Sequence, residues 1–259
     1  MQKIHNHKDF ENIKKEFEEA KEDEFSDCPW AKFIPIHKEI SRGRCPICEQ
    51  KLDEIGERHT GSSIDHFRPK KNEANGKQSQ DAYAFLECEE SNYILMCKGC
   101  NDGYKKSFFP LDTDFVATKL SELNDEKPLL INVREEDPLD YFELVFTEKY
   151  LPLAIIELEI KKSLRDNPTS YKYRKAEETI KFFRLGACHK NEPKINKKGL
   201  YKDFECRVIS LAEHHESLIE LAKAIEEEKD FEELLKDNPK LIEYGFFRFL
   251  INGQFKIEK

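Results

Sequence analysis

Two C-x-x-C pairs constrain this chain more than any other feature of its sequence. The pairs are Cys45/Cys48 and Cys97/Cys100, and residues 49–96 separate them. Each C-x-x-C turn offers two thiolates to one Zn²⁺ ion at about 2.3 Å, and two such turns complete a tetrahedral Cys₄ site. Because four sulfurs close the coordination sphere, we expect a structural zinc ion and not a catalytic one. The alternative is four buried thiols that bind no metal.

The other four cysteines stand apart from these pairs, and we expect them to be ordinary small apolar residues. They are Cys28, Cys88, Cys188 and Cys206. The N-terminus is charged throughout and lacks the apolar segment of a secretory signal, and no stretch is apolar enough to cross a membrane. These features predict reduced thiols, a cytoplasmic location and no membrane partner.

The pattern of apolar and charged residues predicts an α+β chain that is mostly helical. We expect an N-terminal helical segment (1–42), a loop-rich core with both C-x-x-C pairs (43–112) and a mainly helical C-terminal region (113–259). Helical periodicity marks 7–26, 31–41, 168–186, 196–227 and 239–252, with shorter helices near 80–90 and 101–107. Strand-like runs cover 129–133, 142–146 and 150–156.

An acid and a histidine lie between the two C-x-x-C pairs, and an asparagine directly follows the second pair. If one zinc ion joins the pairs, Asp65, His66 and Asn101 come within reach of one small cavity. A carboxylate and an amide oxygen are hard ligands of the kind that Mg²⁺ or Mn²⁺ prefers. A neutral imidazole beside such an ion can take a proton from water. The alternative for the histidine is an ordinary surface or capping position.

Positive charge is concentrated near this predicted site. Arg68, Lys70 and Lys105 are candidates for contacts with substrate phosphates, and the alternative for each is a solvated surface charge. The chain as a whole has a net charge of −9, so it lacks the bulk attraction to nucleic acid that basic proteins have. We therefore expect the chain alone to bind DNA weakly and to need a partner for affinity or targeting.

These motifs resemble the HNH, or ββα-metal, endonucleases over about residues 40–112. The resemblance rests on the C-x-x-C pairs, the run D-H-F-R-P-K at 65–70 and the pattern N-x₄-C-x-x-C-N-x-x-x-K at 92–105. More narrowly, D-H-F-R-P-K followed by C-N-x-x-x-K and F-P-L is similar to the HNH subunits that are paired with ATPases in Septu-type and related retron defence systems. The resemblance implies hydrolysis of DNA phosphodiester bonds by an antiphage effector with an ATPase partner.

The resemblance also implies a role for each matching residue. His66 would be the general base that activates water, and Asp65 and Asn101 would hold a catalytic Mg²⁺ or Mn²⁺ ion. Asn92 would brace the loop that carries the base, within a zinc-stabilised ββα-metal core. The chain departs from many members of the family at Asn101, where they have histidine. This change favours a hard cation over a soft transition metal.

Two other functions fit the same residues. One is a stand-alone restriction or repair-type HNH nuclease that acts without an ATPase. The other is a non-catalytic zinc-knuckle module that binds nucleic acid and in which the Asp-His pair is incidental. The C-terminal apolar stripes fit either core packing or a docking surface for a partner, and the sequence leaves both open.

Overall fold

The computed structural model describes residues 15, 18, 19, 28, 32–49, 51–52, 62–70, 72–74, 77–79, 83–147, 155–183, 185 and 247–258. The contacts divide the chain into two units. The first unit contains residues 3–47 and 51–136, and the second contains 1–2, 48–50 and 137–259. The predicted site residues from 65 to 105 all belong to the first unit.

In the first unit, a short antiparallel pair of strands leads into a helical turn. Strand β1 (Ser62–His66) pairs with β4 (Tyr93–Cys97) along its whole length, with His66 opposite Tyr93. All five residues of β4 are buried, as expected for a strand that is covered on both faces. A π-helix (Gly99–Lys105) starts just after β4. The strand order therefore places the end of β1 beside the start of β4, and the second C-x-x-C pair at the start of the π-helix.

The first unit also contains smaller elements. The α-helix α1 (Phe33–Ile40) contacts both β1 and β4, and the ring of Phe33 meets that of Tyr93 edge-on with centroids 6.0 Å apart. The remaining elements are a hairpin and short 3₁₀ turns: β2 (Asn72–Ala74), β3 (Lys77–Ser79), and turns at Ala84–Leu86, Glu90–Asn92 and Leu120–Glu122.

An aromatic cluster fixes the loops next to β1. Phe67 and Tyr83 both pack edge-to-face on Phe109, with centroid distances of 5.2 Å and 5.6 Å. All three side chains are buried. Edge-to-face aromatic pairs stabilise a fold beyond the area that they bury. The residue that follows the Asp-His pair is therefore anchored in the core, which limits how far the pair itself can move.

The second unit is built on a three-stranded sheet. Strand β5 is central, pairing antiparallel with β6 and parallel with β7. Its elements are β5 (Phe142–Thr147), β6 (Ile155–Ile160), α2 (Lys162–Arg165), α3 (Tyr171–Phe183), α4 (Phe247–Ile251) and β7 (Phe255–Glu258). Arg165 donates to both Glu143 and Glu159 on neighbouring strands, which adds side-chain links across β5 and β6.

Several local predictions are confirmed. The helix expected at 31–41 is α1, the helix expected at 168–186 is α3, and the strand expected at 142–146 is β5. The helices expected at 196–227 and over most of 7–26 lie outside the described residues. No helix in the described ranges is long and apolar enough to span a membrane.

Other local predictions are wrong. The described part mixes helices with small sheets, so the expectation of a mostly helical chain is not supported there. Residues 129–133 form a bend, irregular backbone and the start of a turn, and not a strand. Near the C-terminus, α4 stops at Ile251 because Gly253 adopts φ 63°, and Gln254 N donates to Phe249 O (2.9 Å) to close the helix. The chain then adds β7 to the sheet, which local periodicity did not indicate.

The expectation of four isolated, reduced cysteines is also wrong for one pair. Cys28 and Cys88 form a disulfide, with their Cα atoms 5.5 Å apart. The two residues are separated by 60 positions, so sequence spacing gave no sign that they meet. Cys188 and Cys206 lie outside the described residues.

Candidate active site

The two C-x-x-C pairs converge, as the sequence predicted. The sulfur atoms of Cys45, Cys48, Cys97 and Cys100 all lie within 4.8 Å of one another, and all four side chains are buried. Tetrahedral Zn–S bonds of about 2.3 Å would place the sulfurs about 3.8 Å apart. Small side-chain movements would achieve this spacing, so the cluster could hold a zinc ion. The backbone N–H of Cys100 donates to Sγ of Cys97 (3.4 Å), which links the two cysteines of the second pair.

His66 is oriented by a backbone carbonyl. Its Nε2 lies 3.1 Å from the carbonyl oxygen of Glu87, and its ring packs edge-on against Tyr93 with centroids 4.9 Å apart. The hydroxyl of Tyr93 donates to the same carbonyl oxygen. Because a carbonyl oxygen only accepts hydrogen bonds, Nε2 must carry the proton. In the neutral imidazole, the lone pair is therefore on Nδ1.

The surroundings of His66 favour this neutral form. Burial lowers the pKa of His66 below its usual value, and the charges of Lys70 and Lys105 lower it further. The hydrogen bond to Glu87 and the charge of Asp65 act in the opposite direction, but the net shift is downward. A lower pKa leaves the imidazole uncharged at neutral pH, which is the state that a general base needs.

Asn92 fixes the loop that follows His66. Its side-chain Oδ1 accepts from Arg68 N (2.8 Å), and its Nδ2 donates to Arg68 O (2.9 Å). The backbone of Asn92 also accepts from Phe67 N (2.6 Å). These three bonds hold residues 67 and 68 against the start of β4, and Asn92 itself is buried. The geometry fits the bracing role that the motif implies for this asparagine.

Asp65 faces a buried lysine. Nζ of Lys105 lies 2.7 Å from Oδ2 of Asp65 and donates to the backbone oxygen of His66 at 2.7 Å. The π-helix that brings Lys105 to this position also carries Asn101, the residue after the last cysteine of the cluster. One helical turn therefore supplies the cation next to Asp65 and the second predicted ligand of a divalent ion.

The predicted donors to a divalent ion suit a hard cation. Oδ2 of Asp65 is buried and is balanced by the positive charge of Lys105, whose Nζ lies 2.7 Å away. The carboxylate of Asp65 therefore lies in a place that favours a neighbouring cation. A carboxylate and the amide oxygen of Asn101 are both oxygen ligands of the type that Mg²⁺ and Mn²⁺ take. The residues present thus fit the ion that the motif implies.

The three basic candidates for substrate contacts differ in exposure. Lys70 is about half exposed and pairs with the carboxylate of Glu87. Arg68 is mostly buried, and its Nε donates to Oε2 of Glu126 at 2.6 Å. Lys105 is fully buried. In this conformation only Lys70 presents its charge to solvent, and the burial of the other two favours a supporting role.

Several residues that shape the site carry no sequence signal. Glu126 accepts from Arg68, from the Tyr83 hydroxyl (2.5 Å) and from Ala117 N (3.1 Å). Burial, and then the bond to Glu126, raises the pKa of Tyr83, which keeps its hydroxyl protonated as a donor. Glu87 contributes through its backbone carbonyl, which no side-chain motif can reveal. These partners are far apart in the sequence, so only the folded structure brings them together.

The chain is similar in sequence to a Septu protein. It is 26% identical over 216 residues to the Septu protein PtuB of Bacillus mycoides (strain KBAB4), a stretch that covers 81% of this chain. The matched stretch spans 65% of the length of that protein. No protein-family model and no solved structure matches the chain. The similarity supports a relation between this chain and Septu-type proteins, the group that its motifs resemble.

Proposed function

We propose that this chain is a metal-dependent HNH endonuclease that hydrolyses phosphodiester bonds in DNA. One observation carries the proposal: His66 ends β1 with its Nε2 on the carbonyl of Glu87, so the free lone pair of the neutral ring is on Nδ1. The strand pair followed by a helical turn that starts in the four-cysteine cluster supports an HNH core. The similarity to a Septu protein supports the same assignment.

In the proposed mechanism, His66 acts as the general base. Nδ1 takes a proton from a water molecule, and the resulting hydroxide attacks phosphorus in line with the leaving 3′ oxygen. The imidazolium that forms keeps its bond from Nε2 to the carbonyl of Glu87, and this bond strengthens as positive charge develops. The P–O3′ bond breaks, and solvent protonates the leaving oxygen. The products carry a 5′-phosphate and a 3′-hydroxyl.

Asp65 and Asn101 would hold the divalent ion. When bound, a Mg²⁺ or Mn²⁺ ion supplies charge neutralisation at the phosphate oxygens. The cysteine cluster would hold a structural zinc ion, which links the first C-x-x-C turn to the end of β4. Lys70, whose charge is exposed, would attract the DNA backbone. His66, Asp65, Asn92 and Asn101 thus carry the chemistry and its support.

The cellular role follows from the similarity to the Septu protein. We infer that the chain is the nuclease effector of an antiphage defence system, that it works in the cytoplasm and that it acts with an ATPase subunit. The net charge of −9 supports the need for a partner, because the chain itself has little bulk attraction for DNA. The partner would supply DNA targeting or activation.

The test compares site variants on plasmid DNA, with the chain alone and co-expressed with the product of the neighbouring gene. Wild type should nick DNA with Mg²⁺ or Mn²⁺ and not with EDTA. His66→Ala and Asp65→Asn should lower the rate by about 10²–10⁴. Asn101→Ala should also be strongly impaired. Asp102→Ala is the matched control, because Asp102 is exposed on the same helical turn and has no proposed role.

Three results would contradict the proposal or a part of it. Equal cleavage by His66→Ala and wild type would remove the general base. DNA binding without cleavage, in every metal and with the partner present, would favour the non-catalytic zinc-knuckle module. Cleavage by the chain without any partner, at rates that the ATPase does not change, would favour the stand-alone nuclease.

A further inference from the structure

The ammonium group of Lys105 is buried between the side chain of Asp65 and the backbone oxygen of His66. Nζ lies 2.7 Å from Oδ2 of Asp65 and 2.7 Å from the backbone oxygen of His66. The side chain of Lys105 is 0% exposed, and that of Asp65 is 13% exposed. An ammonium group in this position cannot contact the phosphate of a substrate outside the protein. Its partners are Asp65 and the backbone of the proposed base.

Because both groups are buried, each charge needs the other to offset its loss of contact with water. A buried charge is costly unless a charge of opposite sign compensates it, so the ammonium and the carboxylate depend on each other. Oδ2 of Asp65 is itself buried and lies 2.7 Å from Nζ of Lys105, so Lys105 is the cation that balances it. The proposed divalent ion requires the same carboxylate. The ammonium of Lys105 and the proposed divalent ion would therefore compete for the carboxylate of Asp65.

The backbone delivers Lys105 to this place in an unusual way. Residues 99–105 form a π-helix, and Lys106 N donates to Asn101 O (2.7 Å) across five residues. Lys106 then has φ 48°, which turns the chain sharply out of the helix. Short π-helical turns are uncommon in proteins, and those that occur are often found at functional sites. This wide turn sets Lys105 on Asp65 while it keeps Asn101 next to the cysteine cluster.

We propose that Lys105 is a positioning residue that occupies the Asp65 carboxylate before the divalent ion binds, and that the ion must displace it. The proposal rests on the proposed function, because it concerns the same ion. The ammonium holds Asp65 and the backbone of His66 in place in the metal-free protein. When a divalent ion takes the carboxylate, the lysine gives up that contact. The divalent ion thus binds against a competing internal cation.

Binding of Mn²⁺ to the zinc-loaded full chain tests this competition directly. Free Mn²⁺ is measured by electron paramagnetic resonance for wild type, Lys105→Met and Lys105→Arg. Methionine has similar length and no charge, so the Kd for Mn²⁺ should fall about fivefold or more. The Lys105→Arg variant keeps the positive charge, so it should bind Mn²⁺ no more tightly than wild type does. The double variant Asp65→Asn/Lys105→Met should lose the gain, because the contested carboxylate is gone.

A second measurement uses the wild-type chain and so does not depend on how a variant folds. Lysine side chains are acetylated with a soluble reagent, and mass spectrometry gives the extent at each position. Lys105 should react more slowly than the exposed Lys106, the internal control, and saturating Mn²⁺ should raise labelling at Lys105 alone. The effect of Mn²⁺ should be absent in Asp65→Asn.

The outcomes separate this inference from the proposed function. An unchanged or weaker Mn²⁺ affinity in folded Lys105→Met, or labelling of Lys105 that Mn²⁺ does not alter, overturns the role of Lys105. If wild type still cleaves DNA in that case, the nuclease proposal stands without it. If the Mn²⁺ affinity rises as expected but no condition yields cleavage, the competition is real and the nuclease proposal fails.

Discussion

Removal of the Asn92 side chain should destabilise the first unit and impair the site at once. In Asn92→Ala, the N–H and the C=O of Arg68 lose their bonds of 2.8 Å and 2.9 Å. Asn92 is only 5% exposed, so water replaces these bonds poorly. A buried polar group that loses its partner costs about 1–3 kcal/mol, so two such groups give an expected loss of about 2–6 kcal/mol.

The backbone bond from Phe67 N to Asn92 O does not involve the side chain and survives the substitution. The pairing of β1 with β4 should therefore persist, and the loss should be measurable as a shift of a cooperative transition. The free energy of unfolding is obtained from urea titrations of the zinc-loaded protein, followed by circular dichroism. DNA cleavage by Asn92→Ala should also fall, because the loop after His66 loses its clamp.

Ser91→Ala is the matched control for this experiment. Ser91 is the neighbouring residue and is exposed, so its substitution should change the free energy of unfolding by less than about 0.5 kcal/mol. A loss below about 1 kcal/mol in Asn92→Ala would refute the reasoning, because it would mean that the two bonds contribute nothing net. Normal cleavage despite a large loss of stability would separate the clamp from the chemistry.

Three further predictions concern His37, the cysteine cluster and the disulfide. Burial, aided by the charge of Arg134, lowers the pKa of His37 from 6.5 to about 3, so its contribution to stability is full above pH 6.5 and is lost as the pH falls towards 3. Between pH 7.5 and 5, wild type should lose about 2 kcal/mol more than His37→Leu in urea titrations, and equal losses would contradict this shift. Substitution of Cys97 by Ser should abolish the bound zinc, measured by elemental analysis, and should lower the cooperativity of unfolding, whereas retained zinc would disprove the site. The double variant Cys28→Ser/Cys88→Ser should be less stable by about 4 kcal/mol, given a loop of 60 residues, and an unchanged denaturation midpoint would show that the bond is not formed.

The sequence was most informative where the chemistry depends on short spacing. The four cysteines could be predicted to converge because a C-x-x-C turn brings its two sulfurs to the same ion. Helices α1 and α3 could be predicted because one apolar face recurs with the helical period. Each of these features is encoded within a few residues. The Asp-His pair was identifiable for the same reason, although its catalytic role remains a prediction.

The partners of the charged residues could not be predicted in this way. Arg68 meets Glu126 across 58 positions, and Cys28 meets Cys88 across 60. Nothing local distinguishes Arg68 or Lys105 from a solvated surface charge, since burial is decided by which distant segments pack over them. The carbonyl of Glu87 is a stronger example, because every residue has such a group and only the fold selects this one for His66.

These distant contacts explain how groups that never touch a substrate could control the chemistry. The cysteine cluster lies where β4 ends and the π-helix begins, and that helix carries both Asn101 and Lys105. At the other end of β4, Asn92 and Tyr93 hold the backbone after His66 and the carbonyl that orients its ring. Every proposed catalytic group is therefore fixed through β4 or its continuation. Loss of the zinc ion should release Lys105 from Asp65 before it disturbs His66, since the π-helix starts at the cluster whereas His66 pairs with Tyr93 at the far end of β4. A chelator should therefore raise acetylation of Lys105 while the β1–β4 amides stay protected from hydrogen exchange, and simultaneous loss of both would refute this order.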